Sequence, residues 1–135
     1  MLIAHIGDHS FALPVSSVER IIPMAAPTIL PEAVPGMVGV LNYQGTILPV
    51  VDPRPRFNVA TPPFHIDQLL IIVRSARRYL LWVNSIEGIV PTSSDTVTNF
   101  ALPLAITIDN ATIPVLSPLT LDPGPTPRLG ENVAS

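Results

Sequence analysis

Seventeen of the 135 residues are proline, and they are spread along the whole chain rather than gathered in one tail. A globular chain ordinarily has ~5% proline. Each one fixes its own φ, removes a backbone donor and pushes the residue before it away from the helical region. Inside a helix a proline costs about 3 kcal/mol. Helices of ordinary length are therefore excluded almost everywhere. Short strands survive, because proline is tolerated at strand starts, sheet edges and bulges. The chain reads as all-β.

The stretches between prolines agree. Residues 2–6 and 11–13 are apolar runs around the turn cluster Gly7-Asp8-His9-Ser10, which predicts a hairpin. Residues 14–22, with Val15, Val18, Ile21 and Ile22 as apolar anchors, read as a bent strand, and residues 23–35 as an extended connector with prolines at 23, 27, 31 and 35. The centre of the chain is residues 35–57. Two apolar runs, 37–41 and 47–51, flank a polar tip at 42–46, where Gly45 supplies the positive φ that a tight turn needs. That hairpin reads as a presentation device rather than a catalyst. Asp52 is placed to cap a short turn containing Pro53, and residues 58–65 form a loop. Strands are expected over 68–73, 79–83 and 86–90, with a charged turn at 74–78. Residues 92–99 read as a loop. A last hairpin, 104–108 and 112–116, turns at Asp109-Asn110, an Asx pair that tolerates the left-handed region. Nine or ten short strands with regular turn signals predict small barrels or a sandwich. Apolar residues make up 47% and aromatics 5%, so the core must be aliphatic.

The formal charge of −3 gives no reason to expect nucleic acid or an anionic membrane surface. All seven basic residues are arginine. There is no cysteine, hence no disulfide framework and no thiolate chemistry. The first residues lack a basic region and a long apolar stretch, so they do not read as a signal peptide. No apolar run approaches the ~18 residues that span a bilayer, and a soluble, cytoplasmic protein is expected. His5, His9 and His65 show no metal spacing, because Gly7-Asp8 interrupts any helix that would align the first two. No Gly-x-Ser-x-Gly elbow or phosphate-cradling glycine loop occurs. Asp52 beside Arg54 and Arg56 reads as a cap with ion-pair partners, Trp82 as packing, and Met24 and Met37 as gap-fillers. No catalytic residue, metal site or cofactor is indicated. An enzyme with a carboxylate site is the weakest of the alternatives.

The central run Gly39-Val40-Leu41-Asn42, then Gly45, then Pro49-Val50-Val51-Asp52 and Arg54, resembles the signature of the CheW-like domain of bacterial chemotaxis. Phe11-Ala-Leu-Pro-Val and Val18-Glu-Arg-Ile-Ile are similar to the family's opening strand and its V-x-E-I element. Leu81-Trp-Val-Asn-Ser-Ile-Glu-Gly-Ile and the hairpin around Asp109-Asn110 continue the resemblance over residues 2–121. The resemblance implies two five-stranded, SH3-like barrels sharing an aliphatic core, laid out as a domain over 1–122 and a proline-rich, flexible tail over 123–135. It also implies an adaptor joining the cytoplasmic tip of a chemoreceptor to the regulatory domain of a CheA-type histidine kinase, without cofactor or membrane insertion. The partner-binding residues so implied are Asn42, Gln44 and Gly45 at the hairpin tip and Val38 on the flanking strand. Four positions depart from the pattern. Gln44 stands for an arginine, Pro53 for a leucine, Asn84 for an aspartate and Ser117 for a later aspartate. A binding module with the same fold and a different partner is the alternative from another class.

Overall fold

The computed structural model describes residues 1–29, 36–91 and 105–124. Ten strands lie among them: β1 Leu2–Ile6, β2 His9–Leu13, β3 Val18–Pro23, β4 Met37–Tyr43, β5 Thr46–Val51, β6 Leu69–Arg74, β7 Arg78–Val83, β8 Ser85–Ile89, β9 Ala105–Ile108 and β10 Ala111–Pro114. Five pair in the order β3-β6-β7-β5-β4, antiparallel except for a short parallel match of β5 with β7. This sheet closes on itself. Beyond β3, Thr28 exchanges two backbone hydrogen bonds with Val40 of β4, at 2.8 and 2.9 Å. The chain just beyond the first strand of the ring thereby meets the last through this single bridge. Gly39 makes the closure sterically feasible, because a Cβ at that position would lie 2.3 Å from the Thr28 carbonyl oxygen.

The other five strands form a second unit. β2-β1-β8 is one sheet and β10-β9 another, linked where Ala12 bridges Val115 and the Leu116 N–H donates to the Ala12 carbonyl. The expected two units of five strands are thus present, the second hydrogen-bonded as three strands plus two.

Burial explains why several strands read as continuous apolar runs. Leu70 and Ile72 of β6, with Leu80 and Trp82 of β7, point into the closed sheet together with Leu48 and Val50. Their neighbours Ile71, Val73, Tyr79, Leu81 and Val83 point the other way, onto Leu2, Ala4, Ile6, Phe11 and Leu13 of the second unit. Met1, Ile3, Ala12, Ile106 and Ile113 fill a third cluster inside that unit. Strands buried on both faces lose the polar alternation of a half-exposed sheet. The middle cluster is the shared core that binds the two units together.

Several expectations are sharpened by the structure. The first turn is only Gly7-Asp8, so His9 and Ser10 belong to β2. Residues 15–17 make one 3-10 turn before β3 rather than a single bent strand. A second 3-10 turn spans Arg54–Phe57, and a single helical turn, α1 (Pro118–Leu121), follows the last hairpin. Asp109 and Asn110 both have positive φ, 49° and 66°. The expected loop at 92–99, the connector residues 30–35 and the tail from 125 lie outside the described residues.

Candidate functional site

The tip of the central hairpin is a two-residue loop. Tyr43 pairs with Thr46, leaving Gln44 at φ 51° and Gly45 at φ 86° between them. Positive φ at both positions is the type I′ geometry, whose twist matches that of the flanking strands. A glutamine in the left-handed region costs roughly 1–2 kcal/mol. Asn42 offsets part of this, since its Oδ1 accepts a 2.9 Å hydrogen bond from the Gly45 N–H. A Cβ at Gly45 would meet no atom within 4 Å, so that glycine is required by its backbone angle and not by space. Asn42, Gln44 and Gly45 are all exposed. Together they form a rigid knuckle whose free groups are the Gln44 amide and the Asn42 NH2.

Val38 is not part of that knuckle. Four residues of strand separate it from Asn42, roughly 13 Å at the usual rise. It is half-buried, packed against the interior of the closed sheet beside Leu41 and Tyr43. The structure therefore brings together three of the four sequence-selected residues and leaves the fourth on the wall of the barrel.

A cation at this end escaped the sequence reading. Arg20 on β3 is exposed and places Nη1 3.4 Å from the Tyr43 hydroxyl. Among the described residues no carboxylate lies within ion-pair distance of it. Arg20 is the third residue of the Val18-Glu-Arg-Ile run, and only closure of the sheet carries it to the hairpin tip. A reading confined to residues 35–57 has no signal for it.

At the opposite end of β5 the hairpin is anchored by a buried charge network. Asp52 is buried and Arg54 is fully so, at 0% exposure. Asp52 Oδ1 accepts both the Arg54 N–H, at 3.0 Å, and Arg54 Nη1, at 2.9 Å. The Thr61 hydroxyl donates to the second carboxylate oxygen. Arg54 Nη2 donates to Asn84 Oδ1 at 2.8 Å, and its guanidinium lies 4.4 Å from the centre of the Trp82 ring. Asn84 Oδ1 also accepts the Gly7 N–H, from the β1-β2 turn of the second unit. One guanidinium so ties the exit of the hairpin to the junction of the two units. The asparagine at 84 keeps one acceptor that an aspartate would supply, drops the charge and replaces the second carboxylate oxygen by an NH2 donor. Asp52 is not the N-cap of the 3-10 turn, a position held by Pro53 without a side-chain cap, although Asp52 Oδ1 accepts the N–H of the turn's first residue. Arg56 is not an ion-pair partner of Asp52, because it donates to the Thr120 carbonyl instead.

Trp82 is core, as expected. Its Nε1 donates to Gln68 Oε1 at 3.1 Å and Phe64 packs on it at 4.7 Å. His5 is half-buried in β1, with Nδ1 2.8 Å from the Ser10 hydroxyl. Among the described residues no three His, Cys, Asp or Glu side chains converge as metal ligands. None of the helices described is long and apolar enough to cross a membrane.

Comparison with known proteins places this geometry. The scaffolding protein TtCheW from Thermoanaerobacter tengcongensis, a solved structure, matches with a TM-score of 0.72 at 18% identity over 86% of each chain. That likeness establishes the fold. The chemotaxis protein CheW of Bacillus subtilis (strain 168) is 32% identical over 78 residues, 57% of this chain and 49% of that protein. The match thus spans about half the length of the curated relative. The family model described as the CheW-like domain matches residues 1–118, the closed sheet and the second unit together. The chain with the knuckle at Gln44-Gly45 and the buried Asp52–Arg54 anchor belongs to the CheW-like domain family.

Proposed function

We propose that the protein is a cytoplasmic coupling adaptor of a chemotaxis-type pathway. In this reading it binds the regulatory domain of a CheA-type histidine kinase and the cytoplasmic tip of a chemoreceptor through protein–protein contacts alone. The domain in this reading is residues 1–122, followed by a proline-rich tail over 123–135. The observation that carries the reading is the knuckle itself. Two positions of the family signature, Asn42 and Gly45, fall on an exposed hairpin tip that serves no core, with Gln44 presented to solvent between them. Val38 joins the contact as an apolar side chain on the flanking wall.

Gln44 tunes the contact. An uncharged amide replaces a guanidinium, and a charge-assisted hydrogen bond contributes roughly 1.5–3 kcal/mol. Binding of a cognate CheA-type kinase regulatory domain is therefore expected in the tens of micromolar by calorimetry, with Gln44→Arg roughly tenfold tighter. The coupling reading is abandoned if neither the natural chain nor the Gln44→Arg variant binds the kinase domain. Binding by the arginine variant alone favours the second reading. In it, the fold has been kept as a module for another partner, as the loss of charge at position 44 suggests.

A further inference from the structure

A groove lies away from the hairpin tip, between the 3-10 turn before β3, the β6-β7 turn and the start of α1. It encloses about 470 Å³ and is lined by Pro14, Arg74, Ser75, Ser117, Pro118 and Leu119, with Ser16 and Ser17 at its rim. Three features give it a chemical character. The first is apolar: Leu119 is 67% exposed beside the two proline rings. A buried hydroxyl is the second, because Ser75 Oγ is shielded from solvent and has no hydrogen-bond partner among the described residues. Buried polar groups are otherwise nearly always paired.

Charge is the third. Arg74 Nε lies 3.7 Å from Glu19, but the same carboxylate holds Arg78 Nη1 at 3.2 Å. One carboxylate cannot neutralise two guanidiniums, and the Arg74 side chain is 60% exposed. Exposed pairs of that kind hold weakly. Arg77 adds a third cation to the same turn. The other nearby carboxylate, Asp122, is turned to the Arg77 backbone N–H at 3.2 Å. In a chain of net charge −3, this end is locally basic.

We propose that the groove binds an acidic, leucine-bearing segment of a protein partner. A carboxylate sits against the exposed Arg74 guanidinium, on the side of the groove where Ser75 lies. An aliphatic side chain lies over Leu119, Pro14 and Pro118. Planar guanidinium and carboxylate match geometrically, which gives the charge contact its direction. The inference does not rest on the coupling reading, because none of the groove residues belongs to the hairpin.

The test uses the full chain and short synthetic peptides, so no natural partner is needed. Amide signals of the labelled protein are followed while three peptides are added: one of glutamate and leucine, one of lysine and leucine, one of glutamate and serine. The glutamate–leucine peptide is expected to bind and to shift the signals of Ser75 and Leu119, leaving those of residues 42–46 in place. Arg74→Glu weakens it at least roughly tenfold. Ser117→Asp, which puts a competing carboxylate in the groove, weakens it similarly. Arg20→Glu, at the hairpin tip, does not. An unchanged near-ultraviolet spectrum of the buried Trp82 shows that each variant is folded. The proposal is overturned if the glutamate–leucine peptide does not bind, if lysine–leucine or glutamate–serine binds equally well, or if Arg74→Glu leaves the affinity unchanged.

Discussion

Two glycines in the central hairpin carry different loads. Gly45 is needed for its φ of 86°, while Gly39 is needed because the Thr28 backbone occupies the place of its Cβ. Gly45→Ala should cost about 1–2 kcal/mol in urea unfolding, with the closing bridge intact. Gly39→Ala should cost about 1–3 kcal/mol through overpacking and also speed hydrogen exchange at the Thr28 amide. Equal exchange at Thr28 in the two variants would contradict the closure. Arg54 is the other decisive residue. Arg54→Met leaves the Asp52 carboxylate buried without its cation, an arrangement that costs about 3–5 kcal/mol. Adding Asp52→Asn to that variant should recover a large part of the loss. Non-additivity of this kind in a double-mutant cycle is the signature of a coupled pair.

At the scale of elements, the strands were legible and their closures were not. Prolines, β-branched runs and the Asp109-Asn110 turn mark nearly every strand, because proline and left-handed turns act through local backbone sterics. The Thr28–Val40 bridge depends on a missing side chain at Gly39 meeting a backbone far along the chain, which no local pattern encodes. Arg20 reaches the hairpin tip for the same reason. Burial of Arg54 was half legible. Its pairing with Asp52 follows from spacing, but an arginine three residues past a strand end reads as exposed. The one-turn α1 is too short to leave a periodicity.

That turn is held by Tyr79, whose hydroxyl donates to the Pro118 carbonyl at 2.7 Å. Burial, with Asp122 nearby, pushes the Tyr79 phenol far above its ordinary 10.0, against a smaller opposing pull from Arg56. The folded state therefore keeps a proton that the unfolded chain releases above pH 10. This contribution to stability is complete below pH 10 and falls by about 1.4 kcal/mol per unit above it. Tyr79→Phe should flatten that alkaline limb in thermal unfolding, while losing about 1–3 kcal/mol at neutral pH from the unpaired carbonyl. An unchanged alkaline slope would show that the phenol is not shielded.

The whole molecule is two small β units held by one shared aliphatic core, with the Arg54 network riveting their junction. Neither unit alone buries the outer faces of β6 and β7, so unfolding should be a single transition by fluorescence of Trp82 and by far-ultraviolet dichroism. Separate midpoints would contradict the shared core. Such a body suits an adaptor, because rigid units can hold two partners in fixed relation without moving. Adaptor function also requires more than affinity for either partner, since it requires both at once. The most direct measurement is sedimentation velocity of the protein mixed with the cognate kinase regulatory domain and a soluble chemoreceptor tip. The account predicts a boundary containing all three components, faster than either binary mixture. Mutual exclusion of the two partners, or no boundary faster than the free proteins, would contradict it.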